Sequence, residues 1–296
     1  MGVGHWGANI LRDLRTLGAT VRAVARSAAS RDRALAGGAH QIVACVEDLA
    51  GVDGVVVATT IRSHAEVVEE VLELGVPVFV EKPFTDDPEA ARRLTARAGA
   101  RLFVMDKWRY HAGIAELAQI ARSGEIGAIV GLRCTRLSWD GGHLPDADVW
   151  VLAPHDLAIA LEVLGHVPRP RCAVGHVLPS GNDALVAILG EQPWLVLDVG
   201  GTAHLPRRQV ELVGTDGLAW LDDGWADHIG VAQTRDVGAD TWERRPLTGE
   251  LPLLAELRAF LHHVAGGPPP RSSAAEGAEI VEAVACLREL AGLPLR

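Results

Sequence analysis

The stretch Val76-Pro77-Val78-Phe79-Val80-Glu81-Lys82-Pro83-Phe84 decides the fold. Its apolar part, 76–80, is short and bounded by turn-forming residues, which indicates a buried β-strand. Glu81 and Lys82 place an ionisable pair at the carboxyl end of this strand, where open α/β sheets bind their ligands. Pro83 ends the strand, because it has no backbone N–H to donate. The sequence therefore predicts a ligand-facing lysine on a rigid support, unless Glu81 and Lys82 are only a surface pair that closes the strand.

The composition is that of a globular protein, and the length predicts two domains. The chain has 296 residues, of which 48% are hydrophobic and 22% charged. A formal net charge of -10 argues against a nucleic-acid surface, and no apolar run approaches the roughly 20 residues of a membrane span. There is no signal-peptide pattern and the four cysteines lie far apart. We therefore expect a cytoplasmic protein with reduced thiols, and we find no histidine pattern with metal-ligand spacing.

The chain opens with a glycine-rich turn. Gly2, Gly4 and Gly7 fit the G-x-G-x-x-G fingerprint, whose glycines allow a tight turn and close approach of a pyrophosphate. Apolar spacing over 8–17 predicts a helix whose N-terminus faces the phosphates. Only Met1 precedes the first glycine, although the fingerprint normally follows the central strand. Either the natural chain starts upstream, or the strand has been lost, or the protein manages without it; a simple glycine-rich turn is the other interpretation.

Cofactor preference is predicted from the end of the next strand, 20–25. An NAD site usually has an acidic residue there, which binds the ribose 2′-hydroxyl. This chain has Arg26 and Ser27 instead, and an arginine pairs well with a 2′-phosphate. The sequence therefore predicts NADP, with NAD as the alternative, unless Arg26 is a solvated surface residue.

Strands and helices alternate through the first part of the chain, which predicts a doubly wound parallel sheet. We assign residues 1–109 to an α/β dinucleotide-binding Rossmann domain and residues 110–296 to an α+β domain with a largely antiparallel sheet. Ser63 and Asp87 are predicted to cap two helices. The further predicted strands are 41–43, 54–58, 102–105, 129–137, 171–178, 184–189, 194–199, 209–213 and 218–221, and the further predicted helices are 64–74, 88–98, 111–123, 251–264 and 274–290.

The Glu81-Lys82-Pro83 tripeptide follows a buried strand and lies about 75 residues beyond the glycine turn. This arrangement resembles the glucose-fructose oxidoreductase, inositol dehydrogenase and MocA family. In that family the lysine lies beside the nicotinamide and the substrate hydroxyl. The resemblance implies that Lys82 is catalytic and that it contacts the cofactor together with Glu81, Thr59 and His64. Without the resemblance, His64 is only a local hydrogen-bonding group.

The run His5-Trp6-Gly7-Ala8-Asn9, followed by Arg12, resembles a subgroup of the family that oxidises nucleotide sugars, such as UDP-N-acetylhexosamine 3-dehydrogenases. The resemblance implies that His5 and Trp6 bind the cofactor. From the residues themselves, Trp6 is expected either to cover the pyrophosphate or to serve as a packing residue.

The run Trp150-Val151-Leu152-Ala153-Pro154-His155-Asp156-Leu157 resembles the family's second motif, in which a histidine exchanges a proton with a sugar hydroxyl. The resemblance implies that His155 is catalytic, and its imidazole has a suitable intrinsic pKa. Trp150 and Asp156 are expected to bind the substrate, or Asp156 to orient the histidine. The alternative is a His-Asp capping pair at the start of a helix ending near Gly165, with Pro154 in its first turn.

Two further segments bear on the substrate. Residues 106–111 resemble the segment that crosses between the family's domains, with Arg109 and Tyr110 as its Arg-aromatic pair near the substrate; the alternative is a polar linker. One departure is clear, because many family members carry an aspartate where this chain has Val151. The nearest alternative carboxylates before His155 are Asp148, Asp146 and Asp140.

These observations predict an NADP-dependent oxidoreductase that transfers hydride to or from a sugar-like alcohol or ketone, nucleotide-linked or from secondary metabolism. One alternative is a member without redox activity that binds a ligand or partner or catalyses a non-redox step. Another is an imine reductase, since the fold does not specify the substrate. A homo-oligomer, dimer or tetramer, is expected because the open face of such a sheet is often covered by another subunit in this family.

Overall fold

The computed structural model describes residues 1–139, 148–178, 181–233 and 241–294. The helices are α1 (His5–Thr16), α2 (Ala28–Ala36), α3 (Ile61–Leu72), α4 (Pro88–Ala98), α5 (Ala112–Ser123), α6 (Asp148–Leu164), α7 (Pro252–Val264) and α8 (Ala274–Leu290). The strands are β1 (Arg22–Val24), β2 (Gln41–Val43), β3 (Val55–Val57), β4 (Val78–Glu81), β5 (Leu102–Met105), β6 (Ile129–Trp139), β7 (Pro170–Val177), β8 (Asp183–Leu189), β9 (Trp194–Gly200), β10 (Thr202–Gly214), β11 (Leu218–Leu221), β12 (His228–Ala232) and β13 (Glu243–Pro246).

The chain divides into two compact units. The first contains Met1–Lys107 and Leu251–Val281, and the second contains Trp108–Glu250 and Glu282–Arg296. Helix α7 therefore packs with the N-terminal part of the chain, where Phe260 stacks on Phe79 of β4 with ring centroids 4.8 Å apart. None of the helices in the described ranges is both long and apolar enough to cross a membrane.

The first unit is built on parallel strands, as predicted, but the sheet is in two parts. β1 pairs with β2, and β3, β4 and β5 form a second parallel group. At the edge of β3, the Met1 ammonium donates to Val56 O at 2.7 Å and Met1 O accepts from Ala58 N at 2.8 Å. A cavity of about 410 Å³ lies between β1 and β3 and is lined also by α1 and α7. Met1 thus makes the hydrogen bonds of a residue in a parallel strand beside β3. The cavity occupies the space in which such a strand would lie.

The helix boundaries of this unit depend on local hydrogen bonds. Asp87 caps α4 as predicted, accepting from the Glu89 and Ala90 N–H groups. The predicted Ser63 cap is wrong, because α3 begins at Ile61 with Thr60 as its N-cap. The Ser63 hydroxyl instead donates to Thr60 O at 2.9 Å, inside the first turn.

The second unit is built on a mixed sheet with the strand order β13-β12-β11-β10-β6-β9-β8-β7. Among its described strands, β6 and β9 pair in parallel and every other neighbouring pair is antiparallel. The predicted largely antiparallel sheet is therefore confirmed. Helix α6 packs on this sheet, and most of its residues are buried.

Helix α6 begins at Asp148, so Pro154 lies inside the helix and not in its first turn as predicted. The reason is tertiary. Asp183, at the start of β8, accepts a hydrogen bond from the Val149 N–H at 2.8 Å and so supplies a cap from another element. His155 consequently lies within the helix, which contradicts the alternative of a capping pair at a helix start.

Candidate active site

The glycine turn has the shape that a bound phosphate requires. A Cβ on Gly7 would lie 2.1 Å from Gly2 O, and one on Gly2, which has φ +83, would lie 2.5 Å from Ala58 O. Both positions therefore require glycine. A Cβ on Gly4 would meet no described atom within 4 Å, and Gly4 is the N-cap of α1. The space beside Gly4 at the N-terminus of α1 is therefore open, which fits a pyrophosphate.

Trp6 joins this turn to the end of β4. Its indole Nε1–H donates to Glu81 Oε1, and Lys107 Nζ lies 4.3 Å from the centroid of its ring. Glu81 Oε2 accepts the Lys82 backbone N–H at 3.0 Å. Trp6 is therefore held by the residues around the candidate lysine, whereas His5 beside it is exposed.

A buried group of acids surrounds Lys82. Glu81, Asp106 and Glu256 are only 8%, 1% and 1% exposed. Burial raises the pKa of Glu81, against the nearby cations Lys82 and Lys107 and the Trp6 hydrogen bond. Burial, together with Glu81 and Asp106, raises the pKa of Glu256 well above its usual range. Carboxyl groups whose pKa is raised by burial and neighbouring charges are typical of functional sites.

His64 is buried and bonds to the loops that follow β3 and β4. Its Nδ1 lies 2.9 Å from Pro83 O, and its Nε2 lies 3.0 Å from Thr59 O. The ring therefore fixes the position of the turn that carries Lys82. Thr59 Oγ1 is buried and has no hydrogen-bond partner among the described residues, so it is available to a bound ligand at the carboxyl edge of the sheet.

Arg26 and Ser27 are exposed at the end of β1. The Ser27 hydroxyl caps α2 by accepting the Ser30 N–H at 3.2 Å, so its oxygen already serves the helix. Arg26 contributes to the lowering of the pKa of Glu47, after larger contributions from Cys45 and the backbone. The guanidinium thus lies on an open surface with an acidic group nearby.

In the second unit, Trp108 is the centre of an aromatic and cationic cluster. His111 stacks on it with centroids 5.0 Å apart, and the His155 ring lies edge-on at 6.5 Å. Arg136 Cζ lies 4.4 Å from the Trp108 centroid. His111 Nδ1 accepts the Gly113 N–H, so its Nε2 carries the proton and donates to a backbone carbonyl.

Asp156 is held by a buried ion pair. Its Oδ1 accepts from Arg136 Nε at 3.0 Å and from Nη2 at 2.7 Å. Burial raises the pKa of Asp156, although Arg136 opposes this. Oδ2 is buried and has no partner within the described ranges. Substrate binding by Asp156 stays a prediction, and Oδ2 is the atom that would accept a substrate hydroxyl.

The other predicted substrate residues also have protein partners. Arg109 Nε lies 3.1 Å from Glu162 Oε2, and both side chains are largely buried. Arg288 Cζ lies 6.0 Å from the Trp150 ring, and Arg288 also pairs with Asp183. Tyr110 is partly buried in the 3-10 turn Lys107–Tyr110.

Val151 lies one helical turn before His155 on α6, so the face that carries the histidine has an apolar side chain at that position. Asp148, two turns before His155, is completely buried. Asp140 and Asp146 lie outside the described residues.

Sequence reasoning did not single out Lys107, Glu256 and Arg136, although signals exist for Glu256 and Arg136. Glu256 breaks the apolar face of α7, where Leu253, Leu257 and Phe260 are buried at helical spacing. Arg136 takes an inward position of β6, two residues beyond the buried Cys134. A charged residue on a face that the pattern assigns to the core is the signal in both cases.

Comparisons with known proteins show what this chain is similar to. Residues 1–104 match a family model described as "Oxidoreductase family, NAD-binding Rossmann fold". An inositol 2-dehydrogenase of Burkholderia lata is 29% identical over 97% of this chain and 92% of its own length. Another, of Streptomyces avermitilis, is 36% identical over 46% of this chain, and the match spans less than half of that relative, 43%.

The UDP-N-acetylglucosamine 3-dehydrogenase of Acidithiobacillus ferrooxidans is 28% identical over 81% of this chain and 79% of its own length. A solved structure of that enzyme superposes with a TM-score of 0.83 and 23% identity, over 100% of this chain and 97% of the other. At this identity the superposition shows a shared fold. Together with the glycine turn and the Glu81-Lys82-Pro83 strand end, these findings show that residues 1–104 match the NAD-binding domain of the glucose-fructose oxidoreductase, inositol dehydrogenase and MocA family, and that the chain is similar to dehydrogenases over nearly its whole length.

Proposed function

We propose that this protein is an NADP-dependent dehydrogenase of a sugar-like polyol, with Lys82 and His155 as its catalytic residues. The observation that carries the proposal is the position of Lys82, at the carboxyl end of β4 and within a buried group of acids beside the glycine turn. The substrate class is supported by the names of relatives, which act on inositol, UDP-N-acetylglucosamine and D-apiose.

The described residues fit a dinucleotide. The open N-terminus of α1 at Gly4 would hold the pyrophosphate, and Arg26 would pair with a 2′-phosphate. When bound, a nicotinamide cofactor supplies the hydride acceptor or donor. The Lys82 ammonium would stabilise negative charge that develops on the substrate oxygen. His155 would take the hydroxyl proton or return it, since imidazole is a common group for proton exchange near neutral pH.

Cofactor preference is tested by titrating the protein with NADPH and with NADH while following tryptophan fluorescence. We expect NADPH to bind at least about tenfold more tightly, because charge-assisted bonds to Arg26 contribute about 1.5–3 kcal/mol. Arg26→Ala should weaken NADPH alone, whereas Arg122→Ala, an exposed arginine of α5, should change neither affinity. An equal loss for both cofactors in Arg26→Ala would contradict the assignment of the 2′-phosphate to this residue.

The reaction is tested by screening inositol, UDP-N-acetylglucosamine and D-apiose for nicotinamide reduction and then replacing Lys82. Lys82→Met should lower kcat by about 10²- to 10⁴-fold, the usual contribution of a positioned proton-transfer group. Circular dichroism should be unchanged, because Lys82 lies at a strand end and is only partly buried. Full turnover in Lys82→Met would refute the mechanism.

A second function is favoured by one observation, the apolar Val151 on the His155 face of α6. A valine cannot bind a hydroxyl or bias the pKa of a histidine, which fits a ligand-binding or non-redox role. Failure of the folded protein to bind either nicotinamide cofactor would make this function the better supported one.

We also propose a homo-oligomer that buries the outer face of the β7–β8 hairpin. Val174 and Val186 face each other across these strands and are 79% and 51% exposed, and Ile188 beside them is 45% exposed. Adjacent exposed branched residues on a sheet face are typical of an interface. Measurement of the molar mass in solution decides between a monomer and an oligomer, and Val186→Glu should dissociate the latter.

A further inference from the structure

Lysine is almost absent from this chain. Of its 28 lysine and arginine residues, all but Lys82 and Lys107 are arginine. The two lysines follow β4 and β5, which are adjacent parallel strands with Glu81 paired to Met105. Because neighbouring parallel strands end at the same edge of a sheet, both ammonium groups lie at the edge where such folds bind ligands.

Lys107 is linked to Lys82 through two other side chains. Its Nζ lies 4.3 Å from the centroid of the Trp6 ring, a cation–π contact. Trp6 donates to one oxygen of Glu81, and the other oxygen accepts the backbone N–H of Lys82. The two lysines therefore share the Glu81 carboxyl group and its indole partner.

The charges at this edge are unequal. Glu81 on β4, Asp106 after β5 and Glu256 on α7 are three buried acids, and the cations that oppose them are Lys82 and Lys107. Burial and the two other acids raise the pKa of Glu256, and both lysines lower it, so Glu256 is coupled to each of the other four groups. Of the two cations that lower the pKa of Glu81 and Glu256, Lys82 alone would remain if Lys107 carried no charge.

We propose that Lys107 is a positioning residue for Lys82: its ammonium is the counter-ion of the Glu81, Asp106 and Glu256 carboxyl groups. A lysine that is the sole counter-ion of several acids holds its proton tightly, because opposite charges within about 4–6 Å favour the charged form. A second ammonium both neutralises the acids and repels the first. Lys82 can then release its proton at lower pH, which a group that exchanges protons with a substrate requires. This inference rests on the proposed function, since it takes Lys82 as the reacting lysine.

The scarcity of lysine makes the test direct. Protein labelled with ¹³C at the lysine Cε gives two signals, and Lys107→Arg assigns them. We expect Lys107→Met to raise the titration midpoint of the Lys82 signal by about one pH unit or more. Lys107→Arg should keep the midpoint near that of the natural chain, because its guanidinium remains charged. Glu256→Gln removes an acid and should move the midpoint in the opposite direction, downward.

An unchanged Lys82 midpoint in folded Lys107→Met would overturn the inference, and so would an upward shift in Glu256→Gln. If Lys107→Met does not fold, Lys107→Gln, which is also uncharged, takes its place under the same criterion. The titration uses protein without cofactor, so it does not depend on dehydrogenase activity. If the Lys82 midpoint shifts as expected in both variants but the protein binds no cofactor, the proposed function is refuted and this inference is not. Once a substrate is known, the pH profile of kcat/KM gives a second measurement. The apparent pKa that Lys82 contributes to this profile should rise in Lys107→Met and should stay near that of the natural chain in Lys107→Arg. A profile that keeps its pH dependence, with only a uniform loss of rate, would indicate a merely structural role.

Discussion

Glu256 is a buried acid whose cost to the fold depends on pH. Burial first, and Glu81 and Asp106 next, raise its pKa well above the usual range in the folded chain. The folded state therefore binds the proton of Glu256 more tightly than the unfolded state does. By linkage, this residue favours folding below its unfolded pKa of 4.5, and the contribution is lost as pH rises toward the folded pKa.

Glu256→Gln should therefore stabilise the chain at neutral pH. The amide has the same shape and no charge to bury, and each pKa unit of the shift it removes corresponds to about 1.4 kcal/mol. Denaturant unfolding of both chains at pH 5 and pH 8 measures the effect, and we expect the difference to grow from pH 5 to pH 8. A constant difference across this range would show that the carboxyl group does not hold a raised pKa. Glu279→Gln, at an exposed position of α8, is the matched control.

At the scale of the residue, the sequence was informative where chemistry depends on neighbours along the chain. The glycine spacing identified the turn, and a lysine after a buried strand identified the sheet edge. The contact of Trp6 with Glu81 was not predictable, because it joins residues 75 positions apart. Glu256 was visible only as a charge on an apolar helical face, and its partners are set by the packing of α7 with the N-terminal part of the chain.

At the scale of the element, a buried ion pair between Arg136 of β6 and Asp156 of α6 ties the helix that carries His155 to the sheet. Arg136 and Asp156 are 5% and 1% exposed in their side chains, and the arginine also covers Trp108. Arg136→Met would leave the Asp156 carboxylate buried without its partner. We expect a loss of about 3–5 kcal/mol in the free energy of unfolding, the usual cost of breaking a buried pair.

The double variant Arg136→Met with Asp156→Leu tests the cause. Removing both charges should restore much of the stability, because apolar side chains often replace a buried pair at little cost. The free energies of unfolding of the two single variants and the double variant complete the cycle. If the double variant is as unstable as Arg136→Met, lost packing against Trp108 and not the unpaired charge is responsible.

Element boundaries were predictable where the signal is local. Asp87 before Pro88 marked the start of α4, whereas the start of α6 depends on Asp183 from a distant strand. Strands β12 and β13 were missed for two reasons. In β12, Gly230 interrupts the apolar sequence pattern, and glycine is needed there because the Trp220 ring occupies the space of a Cβ. In β13, the charged residues Glu243, Arg244 and Arg245 obscure the strand pattern, although such residues are common on edge strands.

At the scale of the molecule, the parallel sheet of the first unit is in two parts, β1-β2 and β3-β4-β5. The cavity of about 410 Å³ between β1 and β3 is lined mainly by apolar residues of β3, α1 and α7. Met1 enters it with the hydrogen bonds of a parallel strand residue, between Val56 and Ala58. Burial lowers the pKa of its ammonium from 8.0 to about 6. The edges of β1 and β3 thus form a slot for an extended apolar segment.

Adding about five apolar β-branched residues before Met1 should therefore stabilise the chain, because strands of this length are typical and the segment would bury apolar surface. The extension also replaces the buried ammonium with a peptide N–H. That ammonium favours the unfolded state below pH 8, with a cost that grows to about 2–3 kcal/mol as pH falls to 6, at about 1.4 kcal/mol per pKa unit. The gain in Tm should accordingly be larger at pH 6 than at pH 8, and a Gly-Ser extension of equal length should lack the part due to apolar burial. An apolar extension that leaves Tm unchanged at both pH values would show that the slot does not accept a strand.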